Sequence, residues 1–85
     1  MTDAPGLFPA PPMAEQERMV EAMLFASAAP LRIADLAARM PAGCDAAEAV
    51  AHLARRYEGR GVRLVRVGDA FAFRTAPDLA HLMHR

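Results

Sequence analysis

The stretch EAMLFASAAPLRIADLAARM, residues 21–40, predicts the end of one helix, a corner at Pro30 and a second short helix. Residues 41–59 then predict a third helix, with Asp45 as its N-cap and Glu48 three residues later in a capping-box-like pair. Three short helices at this spacing are typical of a helix-turn-helix. These residues therefore predict the helical part of the fold.

Two β-type runs follow the helices, VRLVRV at residues 62–67 and AFAFRT at residues 70–75, separated by Gly68-Asp69. Such a pair indicates a hairpin, which would form the wing. A further helix starts after Pro77. The predicted fold class is therefore α+β, a winged helix-turn-helix with three helices and a two-stranded β-hairpin wing.

The first of these runs has a mixed pattern. Val62 and Leu64 lie on one face, whereas Val65 and Val67 lie on the other. Either a bulge restores a single apolar face, or both faces of the wing are partly covered.

The domain organisation follows from these elements. Residues 1–12 carry four prolines and no periodicity, and we expect a flexible Pro-rich tail. The first helix is expected at Ala14–Ala28, inside a winged-helix domain at 13–76. Residues 77–85 would begin a linker helix toward a second winged-helix domain that lies beyond this chain.

Composition narrows the function classes. An 85-residue chain forms one small domain, which buries only about 60–65% of its unfolded surface. Ten basic and ten acidic side chains cancel, whereas a nucleic-acid-binding domain usually has a basic surplus. The arginines cluster between positions 55 and 74, as a solvated face or as a phosphate-binding patch. The candidates for non-specific phosphate contacts are Arg63, Arg66 and Arg74.

Several kinds of site lack the residues that they need. The single cysteine, Cys44, has no evident base, and no nucleophile elbow, phosphate loop or paired carboxylate motif is present. His52, His81 and His84 have no carboxylate or thiol placed nearby in sequence to complete a metal site. We therefore expect no enzyme, no metal and no cofactor. No apolar run approaches the roughly 18 residues of a membrane span, and we expect a cytoplasmic protein.

The third helix also argues against base reading. Recognition helices contact bases mostly through Arg, Lys, Asn, Gln or Ser near their N-terminus. Here that end, residues 46–52, carries mainly Ala and one Glu. At most weak, non-specific DNA contact is expected. A winged-helix DNA-binding transcriptional regulator remains the alternative function.

Apolar residues in excess of a thin core predict a protein interface instead. Phe25 lies off the core stripe of the first helix, and the wing has apolar residues on both faces. The candidate interface residues are Phe25, Val65, Val67 and Phe71. The alternative is that the N-terminal tail or a second domain covers the wing.

This chain resembles the N-terminal domain of bacterial segregation and condensation protein B in two stretches, VEAMLFASAAPLRIADLA and RRYEGRGVRLVRVGDAFAFRTAPDLA. The resemblance covers Met13 to Arg85. It implies a non-enzymatic structural subunit of the SMC–kleisin complex, which acts in chromosome condensation and segregation at the nucleoid. It also implies a homodimer formed mainly by this first domain. The further partners would be the kleisin, segregation and condensation protein A, and SMC through it, with no membrane.

One residue departs from the family pattern. Relatives usually have Ser or Thr before the second helix, where this chain has Arg32. Arginine cannot accept hydrogen bonds from the first amides of a helix, and its charge opposes the helix dipole. We therefore predict that the second helix frays at its start, although Asp35 places a favourable anion in the first turn.

Overall fold

The computed structural model describes residues 9–83, which form an α+β fold. In chain order the elements are α1 (Met13–Ala26), β1 (Leu31–Arg32), α2 (Ile33–Arg39), α3 (Ala46–Arg56), β2 (Val62–Val67), β3 (Ala70–Thr75) and a 3-10 helix (Pro77–Met83). The helix expected after Pro77 is thus a 3-10 helix. The predicted first helix, Ala14–Ala28, begins one residue earlier and ends two residues earlier than expected.

The sheet has three antiparallel strands, which corrects the prediction of a two-stranded hairpin. Its order is β1-β3-β2, with Leu31 opposite Phe71 and Arg32 opposite Ala70. A strand of two residues is too short to show an alternating pattern. It exists because the corner after Pro30 brings the chain alongside β3, which is a tertiary effect.

The hairpin contains no bulge. Its register runs without a break from Val62 opposite Thr75 to Val67 opposite Ala70. The mixed pattern of β2 therefore means that both faces of the sheet carry apolar side chains. Leu64 packs against the core on the inner face, while Val65 is half-buried on the other.

The core lies between the three helices and the inner face of the sheet. Val20 of α1 and Leu36 of α2 are completely shielded from solvent. The other large buried members are Leu24, Met40, Val50 and Leu53, with Phe71 and Phe73 packed against them from the sheet. Alanines fill much of the rest, so each large side chain carries a large share of the hydrophobic stabilisation.

The start of α3 confirms Asp45 as the N-cap, because its Oδ1 accepts the Glu48 amide at 3.0 Å. In a capping box the Glu48 side chain would accept a hydrogen bond from the Asp45 amide, but here a glutamine of α1 takes that place. The Asp45 amide donates to Gln16 Oε1 at 2.8 Å, and Gln16 Nε2 donates to the Pro11 carbonyl at 2.8 Å. This buried glutamine therefore links α1 to the start of α3 and to residues 9–12. Residues 1–8 of the predicted tail lie outside the described part.

Arg32 occupies the N-cap of α2 without a side-chain cap bond. Asp35 Oδ2 reaches back to the Arg32 amide at 2.8 Å and lies 3.4 Å from its Nε. These hydrogen bonds from Arg32, the backbone one first, lower the pKa of the Asp35 carboxyl. Fraying of α2 stays a prediction.

Candidate protein interaction surfaces

The first surface is an open apolar groove beside the end of α1, which we call the Phe25 groove. It has a volume of about 400 Å³ and is lined by Glu21, Phe25, Tyr57, Val62 and Phe73. The Phe25 side chain is 84% exposed, the highest value among the large apolar residues of the described chain. Such exposure leaves apolar area that a partner can cover.

The aromatic rings of the groove wall are held by contacts from several sides. The rings of Tyr57 and Phe73 lie 5.0 Å apart at 53°. The Tyr57 hydroxyl donates to the Glu21 carboxylate, and the Arg60 guanidinium lies 5.7 Å from the Tyr57 ring. The hydrogen bond to Glu21, with a smaller contribution from burial, raises the pKa of the Tyr57 phenol.

An ion pair between a buried glutamate of α1 and an exposed arginine of α3 lies next to this wall. The Glu17 side chain is only 6% exposed, and Arg56 Nε donates to its Oε1. His52 Nδ1 lies 3.6 Å from the other Glu17 oxygen. A buried carboxylate needs such partners, because desolvation otherwise makes its charge costly. The pair therefore holds the two helices, and the groove wall that they carry, in a fixed relation.

The second surface is the face of the sheet that points away from the core, which we call the outer face. It consists of Arg63, Val65 and Val67 of β2 and Ala70, Ala72 and Arg74 of β3. Val65 lies opposite Ala72, and because Ala70 and Ala72 are buried, the apolar strip exposed on this face comes from Val65 and Val67. Arg63 lies directly opposite Arg74 at one end of this strip.

The predicted interface residues fall into three places. Phe25 lines the groove, whereas Val65 and Val67 lie on the outer face. Phe71 is half-buried and packs against the core beside Leu31. The alternation of β2 and β3 thus divides the predicted interface between two surfaces.

The arginines predicted to contact phosphate lie on both faces of the sheet. Arg63 and Arg74 are cross-strand neighbours. Arg66 lies opposite Phe71 on the other face of the sheet, and its Nε donates to the Gly68 carbonyl at 3.0 Å. Only two of the three guanidinium groups therefore form one patch.

Tyr57, Glu21 and Val62 belong to the groove, although the sequence pattern did not single them out as site residues. Tyr57 reads as a core position of α3, and Glu21 as an ordinary exposed acid of α1. The two residues meet because α1 packs along α3. A spacing of 36 residues between the partners leaves no local signal.

Metal binding and membrane spanning find no support in residues 9–83. Within this range, no three or more His, Cys, Asp or Glu side chains gather in a way that could hold a metal ion. None of the helices described there has the length and apolar character needed to cross a membrane.

Comparison with known proteins gives a consistent result. The family model of the segregation and condensation complex subunit ScpB matches residues 18–85. A conserved hypothetical protein from Chlorobium tepidum is similar in structure, with a TM-score of 0.68 and 30% identity over 84% of this chain. This chain spans 47% of the length of that protein. No curated protein matches the chain.

A second solved structure is that of a dimer of the ScpB N-terminal domain complexed with ScpA peptide. It has a TM-score of 0.70 and 27% identity, and the match covers 84% of this chain and 93% of that one. The family model alone covers well over half of the sequence. The chain belongs to the family of the segregation and condensation complex subunit ScpB.

Proposed function

We propose that this chain is a non-enzymatic structural subunit of the bacterial SMC–kleisin condensin-like complex, acting in chromosome condensation and segregation. The observation that carries the proposal is the family match over residues 18–85. The similarity to the ScpB N-terminal dimer with its ScpA peptide supports it. The partners are then a second copy of the chain, the kleisin segregation and condensation protein A, and SMC through the kleisin.

The order of the elements supports a winged helix, in which α2 and α3 form the helix-turn-helix and the β2–β3 hairpin forms the wing. Residues 13–76 make up this domain. Residues 77–85 begin the linker toward a second winged-helix domain. The proposed protein works in the cytoplasm on the nucleoid.

In this proposal the Phe25 groove is the surface that pairs with a second copy. An isologous interface uses the same patch on both subunits, so each favourable contact occurs twice. Burial of an exposed phenylalanine contributes roughly 1.5–3 kcal/mol, and two copies of Phe25 would bury together with the walls of two grooves. The dimer reported for the ScpB N-terminal domain agrees with such pairing.

Sedimentation of the chain at several concentrations tests this function. We expect a monomer–dimer equilibrium that Phe25→Arg weakens at least tenfold, because the guanidinium cannot be desolvated in an apolar groove. Ala22→Arg is the matched control: it places the same charge on an exposed position of α1 outside the groove, and dimerisation should persist.

Two results would contradict the proposal. A strict monomer at the highest attainable concentration would remove the pairing role from this domain. Sequence-selective duplex binding that survives moderate salt in a gel shift would favour a DNA-binding transcriptional regulator instead.

A further inference from the structure

The edge of β2 is a row of unused backbone hydrogen-bonding groups. β2 is the last strand in the order β1-β3-β2, so within residues 9–83 no strand pairs with its other side. The Ala76 amide donates to the Gly61 carbonyl at 2.8 Å, which makes this pair hydrogen-bonded and sets the alternation along the hairpin. The N–H and C=O groups of Val62, Leu64 and Arg66 therefore point away from β3.

Arginine side chains lie beside this edge, and the acids Glu58 and Asp78 line a pocket together with Arg63 without forming a salt bridge to it. Among residues 9–83, neither Arg63 nor Arg74 forms a salt bridge. Arg74 Nη1 donates only to a main-chain oxygen, that of Phe73, at 3.1 Å. Like charges directly opposite each other destabilise an antiparallel pair. A carboxylate placed next to them would relieve this repulsion.

The open edge of β2 could pair with β2 of a second copy or with an acidic peptide, and the charge of β2 favours the peptide. A second copy could pair β2 with β2 in a symmetric register centred on Leu64, since Leu64 has outward-pointing backbone groups. Each strand carries two arginines, so this pairing would gather four guanidinium groups on one short ribbon. Arginine on an edge strand opposes that kind of self-association. An acidic strand meets no such repulsion.

We propose that the β2 edge binds an extended acidic peptide as a fourth strand of the sheet. Its main chain pairs with the outward groups of Val62, Leu64 and Arg66. On the outer face, a carboxylate of the peptide lies beside Arg63, with Arg74 one strand further away, and the next side chain on that face, an apolar one, lies beside Val65. The inference rests on the proposed function, because the expected source of this peptide is the kleisin.

Binding of overlapping synthetic peptides that cover the kleisin of the same organism tests the proposal, with fluorescence anisotropy as the readout. An acidic peptide should bind, and Arg63→Glu should weaken it at least tenfold. Arg55→Glu, at an exposed position of α3, is the control with the same change in charge. Because the contact is electrostatic, added salt should weaken binding. The same measurements in a Phe25→Arg background separate peptide binding from dimerisation.

A second pair of variants tests the main-chain pairing. Arg66→Pro removes an outward N–H at a position where proline interrupts no bond to β3, whereas Arg66→Ala keeps that N–H. We expect proline to reduce peptide affinity at least tenfold relative to alanine. Hydrogen exchange should also show new protection of the Val62, Leu64 and Arg66 amides in the complex.

The outcomes separate this inference from the proposed function. If kleisin peptides bind equally well to Arg63→Glu and Arg66→Pro, the peptide lies elsewhere, and the inference is wrong while the function stands. If the wild-type chain binds neither intact kleisin nor any of its peptides, the proposed function falls, and this occupant falls with it.

Discussion

The two faces of the sheet differ in chemistry although the same hairpin builds both. The inner face continues into the Phe25 groove, where aromatic rings and one carboxylate surround exposed apolar area. The outer face exposes two valines, and at one end of it lie two arginines that form no salt bridge within the described residues 9–83. Burial of apolar area is nearly independent of salt, whereas exposed charges are screened. Association through the groove should therefore be insensitive to salt, and association at the outer face should be sensitive.

The largest effect on stability is expected for Arg56→Ala, which removes the ion pair next to the Phe25 groove. Glu17 would remain buried without its guanidinium partner, and an unsatisfied buried acceptor costs about 1–3 kcal/mol. The neighbouring Arg55→Ala is the control, since Arg55 is exposed like Arg56 but forms no salt bridge within residues 9–83. The free energies of unfolding in urea give the comparison. A change below about 0.5 kcal/mol, the usual size for surface positions, would contradict the role of this pair.

The groove wall is tested by Tyr57→Phe, which keeps the ring against Phe73 and removes only the hydroxyl. Loss of its hydrogen bond to Glu21 should lower the free energy of unfolding by about 1 kcal/mol. Because the hydrogen bond to Glu21 raises the folded-state pKa of Tyr57 above its ordinary value of about 10, the contribution is fully present below that ordinary value and is lost as pH rises through the folded pKa. The stability difference between wild type and variant should therefore shrink in strong base. A difference that is constant with pH would show that the hydroxyl does not act through this bond.

Arg32→Ser acts at the margin of the outer face, where Arg32 lies opposite Ala70. Serine can cap α2, and we expect the free energy of unfolding to rise by up to about 1 kcal/mol. Thermal unfolding measures the change, and Arg32→Ala serves as a control that removes the charge without adding a cap. If serine is no more stabilising than alanine, the start of α2 is already satisfied by Asp35.

The smallest expected effect on stability is that of Arg63→Glu. This substitution should raise the stability slightly although it lowers the affinity for the peptide. The substitution converts a like-charged cross-strand pair with Arg74 into an attractive one, which is worth roughly 0.2–1 kcal/mol. The variant should unfold at a slightly higher temperature at low salt while losing affinity for the acidic peptide. A lower unfolding temperature would mean that Arg63 has a structural role instead.

Much of the fold could be predicted because its signals are local. The Asp45 N-cap, the apolar stripes of the helices and the alternation of β3 each need only a few neighbouring residues to be recognised. The buried residues Val20, Leu36 and Leu53 lie on these helical stripes. The strand β1 and the buried residues Gln16 and Glu17 could not be predicted in this way, because their partners lie far along the chain.

In the candidate site, too, the local features could be predicted from the sequence and the contacts between distant residues could not. Exposure of Phe25 follows from its place off the helical stripe, and the arginine cluster is visible in the sequence. The local pattern, however, placed Phe25 with Val65, and Arg66 with Arg63, as single groups. The faces of the strands separate both pairs, since a side chain's face depends on its register with β3.

Short windows of residues are enough to establish the helical stripes, the turn at Gly68-Asp69, the scarcity of base-reading side chains and the family. In such windows periodicity and side-chain chemistry suffice. The third strand of the sheet, the meeting of Glu21 and Tyr57 in a groove, and the position of Arg63 opposite Arg74 near the β2 edge became known from the folded chain. Each of these depends on contacts between distant residues, whose geometry is set by packing of the whole core.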